Sequence, residues 1–107
     1  MGMDLKPINP TKDAPRYPDD GESGSGEVIW GRYNWSGWTY ITDKLESWGV
    51  NLTDFSGSND GGVIPAEKCI EVANAIESHL NDLDEEDREW LRPHIVKWRT
   101  CGGYEQW

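Results

Sequence analysis

Residues 65–80 read PAEKCIEVANAIESHL, and this stretch fixes the first element of the fold. Pro65 stands where a first-turn proline is tolerated, because its missing N–H would have no helical partner anyway. Cys69, Ala73, Ile76 and Leu80 then recur at spacings of four, three and four, with Ile70 and Val72 flanking the stripe. That period predicts a helix with one apolar face to bury.

Moving outward, a second helix is expected from Asp84, whose carboxylate can cap free N–H groups. Glu85, Glu86 and Asp87 fall in its first turn, where the helix dipole favours negative charge. Trp90, Leu91, Ile95 and Trp98 carry its apolar positions. Pro93 interrupts the pattern and predicts a kink or two short helices. Gly102-Gly103 ends the element, leaving Tyr104-Glu105-Gln106-Trp107 as a tail. On the other side, Trp38, Ile41, Leu45 and Trp48 define a third helical face, capped by Asn34 or Ser36 and stopped by a left-handed Gly49. Residues 50–62 are rich in Asn, Asp and Gly and read as turns.

The N-terminal third has a different period. Met3-Asp4-Leu5-Lys6-Pro7-Ile8 alternates apolar and polar residues, and Glu27-Val28-Ile29-Trp30-Gly31-Arg32-Tyr33 is β-branched and aromatic. Both suit strands that could pair with each other. Two strands alone are marginal unless a helix packs on them. Between them, residues 9–26 carry Pro10, Pro15 and Pro18 followed by Asp19-Asp20-Gly21-Glu22-Ser23-Gly24-Ser25-Gly26, which predicts a mobile surface loop. The expected fold class is α+β, helix-dominated, with two or three helices on a small N-terminal antiparallel sheet. Its core should centre on Trp38, Ile41, Leu45, Cys69, Ala73, Ile76, Leu80, Leu91, Ile95 and Trp98.

At 107 residues the chain has room for one domain, 1–107. Its formal net charge of −10 is the wrong balance for gripping phosphates, so direct binding to nucleic acid or to an anionic membrane is disfavoured. The same field would draw in a basic partner. The N-terminus lacks the basic and apolar regions of a secretory signal, and Lys6 stands where a myristoylation motif wants Ser or Thr. No apolar run approaches the ~20 residues of a membrane span. Two cysteines are too few for a disulfide framework, so a cytoplasmic chain with reduced thiols is expected.

Several constellations invite chemistry. Cys69, His79, His94 and Cys101 are zinc-type ligands but lack the short paired spacing of zinc sites. Cys or His could serve a nucleophile, yet no elbow, metalloprotease or phosphate-loop motif accompanies them. The acidic residues around Gly21–Gly26 would repel a phosphate. Asp54, Asn59 and Asp60 lie near glycines but not in calcium-loop order. No catalytic residue, metal or cofactor is therefore expected. Two features point to binding instead. The first is the aromatic run 30–38, where Trp30 and Arg32 share one strand face opposite Ile29, Gly31 and Tyr33. Trp35 and Tyr33 cannot all be buried without partners for their N–H and O–H groups, and exposed Trp, Tyr and Arg are hot-spot residues. A Trp-rich core explains the run equally well. The second is the acidic cluster Asp82, Asp84, Glu85, Glu86, Asp87 and Glu89, which exceeds what a helix cap requires and should form a negative ridge, although a solvated helix start explains it slightly better.

Met1-Gly2-Met3-Asp4-Leu5 with Asn9-Pro10, then Trp35-Ser36-Gly37-Trp38, Asn59-Asp60-Gly61-Gly62-Val63 and Cys101-Gly102-Gly103-Tyr104-Glu105-Gln106-Trp107 resemble a loose group of small bacteriophage and bacterial proteins. The group has no established activity to transfer. The resemblance implies a setting, since small acidic phage proteins often inhibit host defence, anti-CRISPR proteins among them. The expectation is a phage-type inhibitor that binds a host protein with a basic nucleic-acid-binding groove, in the host cytoplasm. Asp82, Asp84, Glu85, Glu86, Asp87 and Glu89 would imitate nucleic-acid charge, and Trp30, Arg32, Tyr33 and Trp35 would anchor the contact. The alternative is a small-molecule or signalling-nucleotide binder that uses those same aromatics as a stacking pocket.

Overall fold

The computed structural model describes residues 2–17, 27–55 and 60–107, which form an α+β fold. In chain order the elements are β1 (Gly2–Pro7), β2 (Gly31–Asn34), α1 (Trp35–Ser47), β3 (Val63–Ile64), α2 (Ala66–His79), α3 (Glu85–Thr100) and β4 (Tyr104–Gln106), with a 3₁₀ turn at Leu80–Asp82. The strands make one antiparallel sheet in the order β2-β1-β4-β3.

Alternation in β1 sends Met3 and Leu5 into the core, where both are fully buried. β1 and β2 pair as expected, with Met3 opposite Tyr33 and Leu5 opposite Gly31. Gly2 is obligatory at this edge, since a Cβ there would lie 2.1 Å from the Tyr33 carbonyl oxygen. β2 begins at Gly31, later than its β-rich sequence predicts. Residues 27–29 are drawn elsewhere: Ile29 N donates to Pro15 O, Tyr17 N donates to Glu27 O, and Arg16 bridges Val28. The first part of the expected loop is thus tethered. Asn9 N and Thr11 N also donate to the carbonyls of Cys101 and Thr100 at the end of α3. Residues 18–26 lie outside the described residues.

The C-terminal residues correct a second expectation. They are a strand inside the sheet, not a tail. Gly102 and Gly103 adopt φ of 66° and 104° and turn the chain back from α3. β4 then inserts between β1 and β3, burying Tyr104 and Gln106. The Gln106 amide is satisfied in the core by donating to the carbonyls of Asp54 and Gly62. The sheet is therefore built from both ends of the chain, because the β2 hairpin leaves the other edge of β1 unpaired.

Three helices cover the sheet. Asn34, not Ser36, caps α1, its side chain accepting from Gly37 N at 2.7 Å. Gly49 takes the left-handed conformation just after that helix, at φ 87°. α2 and α3 pack against each other through Cys69, Val72, Ala73 and Ile76 on one side and Leu91, Ile95 and Trp98 on the other, all buried in one cluster. Leu80 falls in the 3₁₀ turn and is only half-buried. α3 runs unbroken through Pro93, so the two-helix alternative is not realised. Pro93 is on the exposed side, where the backbone carbonyl it displaces can be hydrated.

Candidate functional site

The acidic segment 82–89 lies at the start of α3, and internal bonds divide its six carboxylates. Asp84 is the N-cap and accepts from Asp87 N at 2.9 Å. Asp87 in turn accepts from the Tyr40 hydroxyl at 2.8 Å, tying α3 to α1. Glu89 pairs with Arg92 at 2.9 Å. Asp82, Glu85 and Glu86 are exposed, and no ion pair engages them among the described residues. Three of the six carboxylates are thus partnered within the chain, and the other three form no ion pair among the described residues.

The aromatic run does not behave as one surface. Tyr33 is 3% exposed, and its hydroxyl accepts from Trp98 Nε1 at 2.9 Å. Burial foremost pushes its phenol well above the usual tyrosine range. Tyr33 is therefore a core residue, unavailable to a partner. The hydroxyl found its partner inside, which the count of aromatics could not foresee. Trp30 and Arg32 do share a face: the guanidinium lies 5.9 Å from the indole centroid, and Arg32 also reaches Asp4 at 3.9 Å. Trp35 is half-buried against the core. Arg32 and Trp30 line two different clefts, so the four residues do not form one stacking pocket.

The aromatic that does stand beside the acidic segment is Trp90, 38% exposed. Its apolar character suggested core, but it sits one residue before Leu91 and so about 100° round the helix from the buried stripe. Trp90 meets Tyr40 nearly edge-on, at 5.8 Å between centroids and 65° between planes. Around these rings, Asn34, Ser36, Gly37, Glu86 and Asp87 complete an open cleft of about 430 Å³ between the start of α1 and the first turns of α3. Gly37 shapes it, since a Cβ there would press on the Trp90 ring at 3.1 Å. The cleft joins the acidic cluster to the 34–38 end of the aromatic run through Tyr40 and Trp90. Neither residue was singled out for binding in the sequence. The usable signal was the placement of Trp90 four residues after Glu86, on one side of a helix.

Behind the cleft, His94 stacks on Tyr33 at 4.6 Å and meets Trp90 at 5.7 Å. Burial, then the nearby Lys97 charge, lowers its pKa to about 4, so the ring is neutral at physiological pH. His79 is elsewhere, stacked on Trp48 at 4.6 Å with Nδ1 at 2.9 Å from Ala75 O. Cys69 and Cys101 meet in the core as free, buried thiols. The neighbouring Cys101 thiol, then burial, push the Cys69 thiol far up. The two cysteines are thus together while His79 and His94 lie apart, and no group of three His, Cys, Asp or Glu could hold a metal ion among the described residues. Asn59, from the calcium-like run, lies outside those residues; Asp60 accepts from Gly62 N at 3.0 Å in a local turn. No described helix is long and apolar enough to cross a membrane.

No protein-family model, curated protein or solved structure matches this chain. The site therefore defines only a class: an acidic α+β protein with an aromatic-walled cleft beside exposed carboxylates.

Proposed function

We propose that the protein binds another protein, presenting the start of α3 to a basic surface of the kind that normally holds nucleic acid. One observation carries this reading: exposed Glu86 lines the same cleft as the half-exposed Trp90, with exposed Glu85 beside it in the first turn of α3 and exposed Asp82 just before the helix. Charge of one sign, in a chain of net −10, steers a basic partner and speeds encounter. A large aromatic beside it supplies the apolar anchor that charge alone lacks. The host-defence setting, with a CRISPR effector subunit as one such partner in the bacterial cytoplasm, rests on the motif resemblance and not on the cleft.

Affinity capture from a bacterial lysate tests the reading. The native chain should retain proteins with basic nucleic-acid-binding surfaces at low salt and release them at high salt, because screening weakens exposed charge pairs. A chain with Asp82→Lys, Glu85→Lys and Glu86→Lys should retain none of them. Retention of the same proteins by both chains would sink the proposal.

A further inference from the structure

The cleft between α1 and α3 has walls of two chemistries. Tyr40 and Trp90 offer rings 65° apart, and Glu86 and Asp87 offer carboxylates at the same mouth. Rings carry negative faces that attract cations, and carboxylates attract them more strongly. The cleft's polar rim adds Asn34 and Ser36. Asn34 is already committed, its side-chain oxygen accepting from Gly37 N at 2.7 Å. An anionic ligand would be repelled by the two carboxylates at the mouth. The chain's own Lys44 shows the attraction at work, with Nζ 5.7 Å from the Tyr40 centroid. No salt bridge holds Lys44, Glu86 or Asp87 among the described residues, and the Asp84 charge also reaches the Tyr40 ring.

We infer that the cleft receives an arginine side chain of the basic partner protein, its guanidinium over the Trp90 ring and its N–H groups directed at Glu86 and Asp87. This rests on the proposed reading of the acidic helix start and names its central anchor. Arginine fits better than lysine for a geometric reason. A planar guanidinium can stack on an indole and still donate in its own plane to a carboxylate, whereas an ammonium is a strongly hydrated point charge. The position also suits an anchor. Asp87 is held by the Tyr40 hydroxyl at 2.8 Å, so one of the two acceptors is fixed before the partner arrives.

The test is a titration of the ¹⁵N-labelled full chain with a decapeptide of arginine and, separately, a decapeptide of lysine, at low salt. The arginine peptide should shift the Trp90 indole N–H and the amides of Ser36, Gly37 and Glu86. It should also bind about fivefold more tightly than the lysine peptide, the scale of an exposed cation–π contact. Trp90→Leu should abolish that preference and leave the lysine peptide's affinity unchanged. Because Trp90 also meets Tyr33 and His94, the exposed Glu86→Gln is a second variant, expected to lower arginine-peptide affinity with the amide spectrum otherwise native. Equal affinity for both peptides, or shifts confined to residues outside the cleft, would overturn the arginine anchor while leaving the acidic-surface reading intact. Binding of neither peptide would overturn both.

Discussion

His94 shows how a single side chain ties the site to stability. It is 8% exposed, its Nδ1 has no hydrogen-bond partner among the described residues, and its ring is sandwiched near Tyr33 and Trp90. Protonating it would place a charge among aromatic rings and next to Lys97, which is why its pKa falls from 6.5 to about 4. The folded state thus holds neutral histidine while the unfolded chain takes up a proton below pH 6.5. The stability this residue contributes is fully present above about pH 6.5 and is lost as the pH falls through about 4. The loss should reach roughly 3 kcal/mol, at 1.36 kcal/mol for each unit of displacement. Urea denaturation at neutral and mildly acidic pH measures it. His94→Phe keeps a stacking ring without the titration, so its stability should fall less steeply over the same range. Parallel curves for the two chains would show that other groups carry the acid sensitivity. The sequence placed Tyr33 opposite Arg32 on its strand, and burial follows that alternation. It could not reveal the hydroxyl's bond to Trp98, 65 residues away, or the histidine stacked on its ring.

Between elements, the bond from Tyr40 to Asp87 links α1 to α3 across 47 residues of sequence and closes one wall of the cleft. Partial burial, then the hydrogen bond and the charges of Asp87 and Asp84, push the Tyr40 phenol up, so it remains a donor throughout the ordinary pH range. Tyr40→Phe should cost about 1 kcal/mol, the low side for a bond to a charged acceptor because this one is only partly buried. Thermal unfolding followed by circular dichroism reads the change. A variant as stable as the native chain would mean water serves Asp87 equally well. Helices were the legible elements: the period of Cys69, Ala73 and Ile76 and the caps at Asn34 and Asp84 are local chemistry, decided within a few residues. β4 was not legible for the opposite reason. Three residues are too short for a period, and buried Gln106 is polar, acceptable only because Asp54 and Gly62 supply distant carbonyls. The cleft was half legible. Its acidic side stood out as composition, whereas the exposure of Trp90 depended on how α3 turns against α1.

For the whole molecule, charge acts against folding, and on the proposed reading it acts in favour of binding. Twenty Asp and Glu residues against ten Lys and Arg make the compact state repel itself. Asp82, Glu85 and Glu86 add to that repulsion without ion pairs among the described residues, next to a cap that needs only Asp84. Charge grouped around the start of α3 in this way would serve an encounter under the proposed reading. Added salt screens both effects, with a Debye length that shrinks from about 10 Å at 0.1 M to about 3 Å at 1 M. The melting temperature should therefore rise with sodium chloride, while affinity for a basic partner or the arginine peptide falls over the same range. Replacing Asp82, Glu85 and Glu86 by Asn, Gln and Gln should flatten both responses, raising stability at low salt and weakening association. A variant that lost binding and also lost stability would assign these carboxylates to the fold, and the division between structural and presented charge would have to be redrawn.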